Sequence, residues 1–191
     1  MNAAINVPDT CKLEIYGDNN IVEFKSNTYF VGKICIGTPD CPSTGCKVVV
    51  GKDTTAVGLG VMMRLLEDNS TIVIGDDCMF SEEINVWVTD THTVVDEQGD
   101  IVNWGKYIEI GNHVWIGKHS TILKNTKIAD NSIVAWGAIV SGTFDEQGSV
   151  IAGNPGRVVK HVAGWNRYRP SQWMQMGHGI SQPLRLNGKV V

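Results

Sequence analysis

A six-residue period dominates the stretch from Ile108 to Val140. Six aliphatic residues recur at this interval, and a small or aliphatic residue precedes each of them by two positions. Side chains two apart on a strand share a face, so each unit is predicted to be a short strand with two inward side chains, followed by a corner. The six anchors are Ile110, Ile116, Ile122, Ile128, Val134 and Val140, and their inward partners are Ile108, Val114, Ser120, Thr126, Ser132 and Ala138.

The residues at the predicted corners support this interpretation. Three positions after successive anchors come His113, His119, Asn125, Asn131 and Gly137. Asn, His and Gly are among the residues that most readily adopt positive φ in a turn. A repeat this short and regular predicts an all-β solenoid of stacked parallel strands.

The rest of the chain divides around this repeat. Residues 1–10 show no periodicity and are predicted to be an N-terminal lead-in, whereas residues 11–152 form the β-helix domain, with less regular coils at its start. Residues 153–191 are basic and aromatic and are expected to cap the solenoid, because an open end exposes strand edges and apolar surface.

The period fails between Val86 and Ile108. Continuing the frame would make Gln98 and Trp104 inward anchors, and a polar amide in a narrow apolar core costs free energy unless it is paired. Residues 93–107 are therefore predicted to be a loop that leaves the solenoid. Long loops on rigid scaffolds often carry function.

Composition narrows the classes of partner and compartment. The 191 residues carry a net charge of −4, which gives no reason to expect a nucleic-acid partner, and no apolar run approaches the roughly 20 residues that span a bilayer. The five cysteines are an odd number without a CxxC pair, and no secretory leader precedes the repeat. We therefore expect a cytoplasmic protein with spectator thiols and no metal site.

Several motifs together resemble the hexapeptide-repeat acyltransferases. The run from Ile110 to Gly117, the repeats that follow it, the segment from Ala152 to Arg157, and His92 placed before a loop all match this pattern. Within that superfamily, residues 78–80, 89–92 and Asn103 are similar to bacterial enzymes that O-acetylate capsular and other cell-surface polysaccharides, including polysialic acid.

The resemblance implies a left-handed parallel β-helix that assembles as a homotrimer. It implies acetyl-coenzyme A as co-substrate, lying between neighbouring subunits, and transfer of the acetyl group to a hydroxyl of a bacterial surface sugar or polysaccharide. By motif position, His92 would be the general base. Other acceptors, such as serine, a simple sugar or an amino sugar, remain an alternative.

The catalytic assignments follow from the chemistry of acyl transfer. A neutral imidazole at His92 would remove the proton of the acceptor hydroxyl, and Asp90, Asp96 and Glu83 compete to fix its tautomer. No nucleophile motif is evident, so direct transfer is favoured over an acyl-enzyme. The oxyanion needs a donor, either a backbone N–H or the Trp115 indole. Burial of Trp115 in the subunit interface is the alternative.

The cofactor-binding candidates are Trp115, Lys118, Trp136, Gly137, Arg157 and Lys160. In the family, the positions of Lys118 and Gly137 offer backbone groups to the pantetheine arm, and the basic residues after the Gly-Asn-Pro segment can meet phosphates. Solvated surface charge is the alternative for Arg157 and Lys160. Trp136 and the Ser141-Gly142 pair depart from the family pattern.

The loop is expected to select the acceptor. Trp104 suits the apolar face of a pyranose ring and Asn103 can bond hydroxyls. Trp104 pinning the loop to a neighbouring subunit is the alternative, in which case the acceptor would be chosen elsewhere, for instance by the aromatic tail around Trp165 and Tyr168. A zinc-dependent carbonic anhydrase-like enzyme using His113 and His119, or a non-catalytic scaffold, is less favoured.

Overall fold

The computed structural model describes residues 1–179 and the backbone of two short strands beyond them. The N-terminal half consists of strands of varied length. They are β1 (Ala3–Ile5), β2 (Cys11–Ile15), β3 (Ile21–Phe24), β4 (Tyr29–Ile36), β5 (Lys47–Val50), β6 (Thr55–Leu65), β7 (Thr71–Ile74), β8 (Met79–Phe80) and β9 (Ile84–Trp87).

The regular repeat and the tail complete the chain. The repeat comprises β10 (Tyr107–Ile110), β11 (Trp115–Ile116), β12 (Thr121–Leu123), β13 (Thr126–Ile128), β14 (Ile133–Val134), β15 (Ile139–Val140), β16 (Thr143–Phe144) and β17 (Ser149–Ala152). The tail comprises β18 (Arg157–His161), helix α1 (Pro170–Gln175), β19 (Arg185–Leu186) and β20 (Lys189–Val190).

The strands of the solenoid form a left-handed parallel β-helix with three faces. The first face is the seven-stranded sheet β1-β3-β5-β7-β10-β13-β16. The second face contains β8, β11, β14 and β17, and the third contains β2, β9, β12 and β15. The long strands β4 and β6 bend across the second and third faces and join them into one sheet.

The core confirms the six-residue period. All twelve predicted inward residues are buried, and the most exposed of them, Ile110, retains only 3% of its surface. Ile116 pairs with Val134 and Ile122 with Val140, so one coil of the regular repeat takes 18 residues. The five predicted corner residues all have positive φ, between 53° and 71°.

Inward hydroxyl groups do not disrupt this core, because each donates a hydrogen bond to a backbone carbonyl. Ser120 Oγ lies 2.5 Å from the carbonyl oxygen of Gly117, and Ser132 Oγ lies 3.4 Å from that of Asp130. A paired hydroxyl avoids most of the free-energy cost of burial. Small polar residues therefore fill the narrow edges of the prism beside the aliphatic anchors.

The N-terminal lead-in is more ordered than the sequence predicted. Residues 1–10 include β1, which pairs in parallel with β3 from Ala3 with Ile21 to Ile5 with Glu23. Without β1, the edge of β3 would present unpaired N–H and C=O groups. The β-helix therefore begins before residue 11.

The excursion is longer than the predicted range of 93–107. It occupies residues 88–106, between the end of β9 and the start of β10. Val88 and Thr89 lie beyond the end of β9 but are still buried. The sequence there therefore does not show where the chain leaves the solenoid. The two ends of the loop touch at Gly105, where an added Cβ would lie 1.8 Å from the carbonyl oxygen of Val88. Only glycine fits this close approach.

The tail first covers a strand edge and then turns back along the prism. β18 pairs antiparallel with β17, so the last strand of the second face does not end in an open ladder. Beyond β18 the chain reaches earlier coils, and the Arg167 Nη1 atom donates to Thr55 Oγ1 at 2.8 Å. Within the described residues, no helix has the length and apolar character needed to cross a membrane.

Candidate active site

A polar pocket forms where the excursion loop leaves the solenoid, at the corner between the third and first faces. This loop pocket has a volume of about 210 Å³. His92 lines it and its side chain is exposed. The other lining residues are Cys41, Leu66, Glu67, Thr91, Thr93, Ile101, Asn103 and Trp104.

Asn103 holds the two arms of the loop together. Its Oδ1 accepts a hydrogen bond from the Val94 N–H at 2.9 Å, and its Nδ2 donates to the His92 carbonyl oxygen at 2.8 Å and to Asp90 Oδ2 at 2.9 Å. Both amide donors are therefore used within the loop. One lone pair of Oδ1 remains for a sugar hydroxyl, so an acceptor contact through Asn103 stays a prediction.

Asp90 is bound to a lysine instead of to the His92 imidazole. The Lys124 ammonium group contacts Asp90 Oδ2, and together with the Asn103 amide it holds the pKa of the Asp90 carboxyl below its usual value. Lys124 follows β12 on the next coil, so this pair ties the base of the loop to the solenoid. Asp90 is linked to the His92 backbone through the Asn103 amide, which donates to both.

The other two carboxylates considered for His92 are also occupied. Asp96 Oδ1 accepts from the Gln98 and Asp100 N–H groups at 3.0 and 2.9 Å, which closes the tip of the loop. Glu83 lies at a different corner, 3.2 Å from His119 Nε2. Among residues 1–179, the carboxylate that lines the loop pocket is Glu67, whose Oε1 accepts from Thr89 Oγ1 at 2.9 Å.

A second concave surface lies at the corner between the second and third faces. We call it the tryptophan groove. It has a volume of about 690 Å³ and is largely apolar, which suits an extended organic ligand. It is lined by Val57, Ser81, Glu82, Trp115, Gly117, Lys118, Ile133, Val134, Ala135 and Trp136.

Two tryptophans with different environments border this groove. Trp115 lies on β11 with its ring outward, as the alternation predicted, and its Nε1 donates to Ser81 Oγ at 3.3 Å. That bond is long, so a stronger acceptor could take the indole N–H. Trp136 is 70% exposed and forms the rim.

The charge of Lys118 is largely neutralised within the chain. Its Nζ lies 2.9 Å from Glu82 Oε2 and 3.4 Å from Glu83 Oε2, and the hydrogen bond to Glu82 raises the pKa of the ammonium group. The same ammonium group is 5.8 Å from the centre of the Trp136 ring. Lys118 is therefore better placed to order the groove than to bind a free phosphate.

Gly137 and the Gly153–Gly156 turn continue the same corner. The Gly137 N–H donates to the Lys118 carbonyl oxygen at 2.9 Å, so the coil ladder already uses this donor. The Ile139 N–H donates to the Gly153 carbonyl oxygen, and the Gly156 N–H donates to that of Ile139 at 2.7 Å. The turn therefore stacks directly on the last coil at this corner.

The two basic candidates follow this turn on β18. Arg157 Nη1 donates to the Gly156 carbonyl oxygen at 2.8 Å, and both Arg157 and Lys160 are exposed. Arg157 begins the strand beside the groove corner, whereas Lys160 is paired with Val150 on the second face. The structure thus brings Trp115, Lys118, Trp136, Gly137 and Arg157 to one edge, with Lys160 farther away.

The loop pocket and the tryptophan groove occupy different corners of the same chain. The third face separates them, and a four-residue strand such as β9 spans roughly 13 Å. A proton acceptor at His92 and an acyl donor in the groove of the same subunit would therefore not meet. Within one chain, the loop pocket and the tryptophan groove are therefore separate surfaces.

His113 and His119 also lie at different corners. His113 follows β10 between the first and second faces, and His119 follows β11 between the second and third. His113 Nδ1 lies 2.7 Å from Asp77 Oδ2 and its Nε2 lies 3.0 Å from the Trp165 carbonyl oxygen. A coil corner thus separates the two histidines, whereas the zinc interpretation needs three histidines that converge between subunits.

Several residues of the two surfaces were not anticipated from the sequence. Cys41, Leu66 and Glu67 reach the loop pocket from earlier coils, and Ser81 contacts Trp115. For Cys41, the sequence did carry a clue: it lies in a Pro- and Gly-containing turn at residues 38–45, and this turn leaves the solenoid at the same corner as the later long loop. Four of the five cysteines are buried, whereas Cys41 is exposed.

Replacing Asn103 tests its role in the loop. We expect Asn103→Ala to lower hydrogen-exchange protection of the Val94 amide by about 10-fold or more. The variant loses the bond from the Val94 N–H, worth about 1–1.5 kcal/mol, together with the bonds from the Asn103 amide to Asp90 and to the His92 carbonyl. Gln98→Ala at the exposed loop tip is the matched control and should leave the Val94 amide unchanged. Equal protection in both variants would contradict the assignment.

Comparison with known proteins supports the repeat and the fold. No protein-family model and no curated protein sequence matches the chain. The polysialic acid-specific acetyltransferase NeuO is 28% identical with a TM-score of 0.76, over 84% of this chain and 65% of NeuO. The polysialic acid O-acetyltransferase OatWY is 25% identical with a TM-score of 0.57, over 88% of this chain and 92% of OatWY.

A more distant structure shows the same fold. A hexapeptide-repeat-containing acetyltransferase from Vibrio cholerae is 19% identical with a TM-score of 0.51, over 75% of this chain and 73% of its own. The present chain spans slightly less than two thirds of the length of NeuO. By its repeat, its left-handed β-helix and these likenesses, the chain is similar to the hexapeptide-repeat acyltransferases and, among them, to the polysialic acid O-acetyltransferases.

Proposed function

We propose that the protein transfers an acetyl group from acetyl-coenzyme A to a hydroxyl of a bacterial surface sugar or polysaccharide. The observation that carries this proposal is the exposed imidazole of His92 in a polar loop pocket, on a fold that also offers an apolar groove at a neighbouring corner. The similar proteins NeuO and OatWY are acetyltransferases of polysialic acid, which makes an acidic polysaccharide the first acceptor to test.

The chemistry assigns His92 the role of general base. Its neutral imidazole accepts the proton of the acceptor hydroxyl as that oxygen attacks the thioester carbonyl carbon. The tetrahedral intermediate collapses by breaking the carbon–sulfur bond, and the imidazolium returns the proton to the leaving thiolate. The Trp115 indole N–H is our candidate to stabilise the oxyanion, once it exchanges the long bond to Ser81 for this stronger acceptor.

The tryptophan groove is the proposed site of the acetyl-coenzyme A arm. Its apolar wall between Trp115 and Trp136 suits the pantetheine chain, and Arg157 stands beside the same edge with a free face toward solvent. Arg157 is therefore the preferred phosphate contact, because the Lys118 ammonium group is already paired with two carboxylates. Lys160 is a secondary candidate.

A homotrimer would bring the two surfaces together. Apolar side chains are exposed along the groove corner, with Leu59 at 75%, Trp136 at 70% and Val57 at 45%, and a surface of this kind favours burial against another chain. With three-fold symmetry, the loop pocket of one subunit faces the groove of the next. We place this assembly in the cytoplasm, consistent with five free cysteines.

Removing the proposed base should abolish transfer. We expect His92→Ala to lower the rate of thiol release from acetyl-coenzyme A, with polysialic acid as acceptor, by about 10²- to 10⁴-fold. Because the His92 side chain is exposed, the dissociation constant for acetyl-coenzyme A and the melting temperature should stay unchanged. His161→Ala, at an exposed histidine of β18, is the matched control. A His92→Ala enzyme with more than half of the wild-type rate would exclude this base.

Mixed trimers test whether the site is shared between subunits. His92→Ala and Trp115→Ala chains, each expected to be nearly inactive alone, would be unfolded, mixed in equal amounts and refolded. Three in four trimers are then mixed and each holds one intact site in three, so about a quarter of wild-type activity should return. No recovery in mixtures of confirmed trimeric mass would place both groups in one chain, and a monomeric mass would refute the assembly.

Trp104 is proposed to cover one face of the acceptor sugar. It is 49% exposed and lines the loop pocket together with His92. Trp104→Ala should raise KM for the glycan about 10-fold while leaving KM for acetyl-coenzyme A nearly unchanged, and Trp104→Phe should restore most of the affinity. Loss of the trimer, or of affinity for both substrates together, would show that Trp104 has a structural role.

A further inference from the structure

The charges of this chain are distributed very unevenly. None of the 20 Asp and Glu residues follows Glu146, whereas six of the 16 Lys and Arg residues do. Residues 1–146 therefore carry a net charge of −10 and residues 147–191 a charge of +6. The acetyl transfer proposed above does not by itself account for such a cationic tail on an acidic protein.

The tail also builds an aromatic groove, which we call the tail groove. It has a volume of about 610 Å³, and four of its lining residues are Trp115, Trp165, Tyr168 and Trp173. Tyr168 and Trp173 lie with ring centres 6.2 Å apart and planes 21° from parallel. Tyr168 is 49% exposed, and the Trp165 and Trp173 side chains are only partly buried. The Trp173 ring is also stacked on the His178 ring, at 3.8 Å and 5°, so the exposed Tyr168 ring is the aromatic surface best placed to meet a ligand.

The inner wall of the tail groove is held in place by the solenoid. The Trp165 ring stacks on the His113 ring at 4.2 Å and 8°, and its Nε1 donates to the His113 carbonyl oxygen at 2.7 Å. Two residues later, the Arg167 guanidinium binds Asp77 Oδ1 at 2.8 Å and also reaches Thr55. The inner wall of the tail groove is therefore fixed by stacking, hydrogen bonds and an ion pair to the solenoid.

Arg167 and Asp77 neutralise one another, but the other cations of the tail remain available. Partial burial raises the pKa of Asp77, yet the hydrogen bonds from Arg167 and His113 outweigh it and hold the pKa below its usual value. In the described part of the chain, the ion pairs engage neither Arg169 nor Lys160. Arg169 lies in sequence between Tyr168 and Pro170, which both line the groove.

The tail groove adjoins the proposed reaction centre. Trp115 lines both the tail groove and the tryptophan groove, and its ring centre lies 6.2 Å from that of Trp165. A chain molecule whose reacting residue sits near Trp115 therefore continues past the aromatic rings of the tail. Stacking favours the apolar faces of sugar rings, and the uncompensated cations favour sugars that carry a carboxylate.

We propose that the tail groove is a second acceptor subsite that binds further residues of an acidic polysaccharide, outside the residue that is acetylated. This inference rests on the proposed function, because it takes the acceptor to be a polymer. Tyr168, held in place by Trp173, supplies contact area, and Arg169 supplies the attraction for carboxylates. The subsite makes affinity increase with the length of the acceptor.

Binding without acetyl-coenzyme A tests this subsite separately from catalysis. The probes are sialic acid, its oligomers of increasing length and neutral dextran, titrated into the full-length protein and followed by calorimetry. We expect Trp173→Ala and Arg169→Gln each to weaken binding of the long sialic acid oligomers about 10-fold and that of the monomer less than about 2-fold. Tyr29→Ala and Lys127→Gln, at exposed positions far from the tail in sequence, are the matched aromatic and charge controls.

Salt dependence and mass separate the remaining outcomes. Raising salt from about 0.05 M to about 0.5 M should weaken wild-type binding of long oligomers more than that of Arg169→Gln. Equal affinity of wild type and both variants for long oligomers, or equal affinity for dextran, would overturn the inference. A smaller oligomeric mass in solution for Trp173→Ala than for the wild type would also overturn the inference, because it would show that the tail groove contacts a second copy of the chain. Absence of acetyl transfer with length-dependent binding intact would count against the proposed function alone.

Discussion

The corner between the first and second faces shows the constraint on which the whole β-helix depends. Each coil must turn through a left-handed residue and still bond to the coil before it. Asp53, Asp77, His113 and Asn131 have φ between 53° and 60°, and their N–H groups donate to carbonyl oxygens of preceding coils at 2.8–3.1 Å. Side chains at equivalent corners therefore stack directly, which is how Asp77 comes to meet His113. The same pair then holds the tail.

The sequence predicted the regular coils well because their period contains both requirements, an inward anchor and a corner residue. It also predicted that the chain leaves the solenoid before Ile108, since Gln98 and Trp104 do not fit a narrow core. The early coils were harder to place. Equivalent residues Val50 and Ile74 are 24 apart, whereas Ile110 and Ile128 are 18 apart. An unknown insertion in each coil prevents the register from being counted.

Contacts between coils are the part of the site that the sequence could not supply. Asp90 and Lys124 are 34 residues apart and Lys118 and Glu82 are 36 apart, so these pairs follow only from the coil lengths. They change the chemical interpretation of the candidates. Asp90 is engaged with a lysine and an amide, and Lys118 is a neutralised cation at the rim of the groove. His92 is left as an exposed titratable side chain at the base of the loop.

Three excursions leave the solenoid at one corner, between the third and first faces: residues 37–46, 66–70 and 88–106. Each begins and ends beside strands that are already paired with their neighbours, so its length does not alter the register of the coils. Insertions and deletions at this edge are therefore neutral for the ladder but change the walls of the loop pocket. Length changes along this single edge can therefore reshape the loop pocket while the coils stay in register, whereas the tryptophan groove is built from the stacked coils themselves.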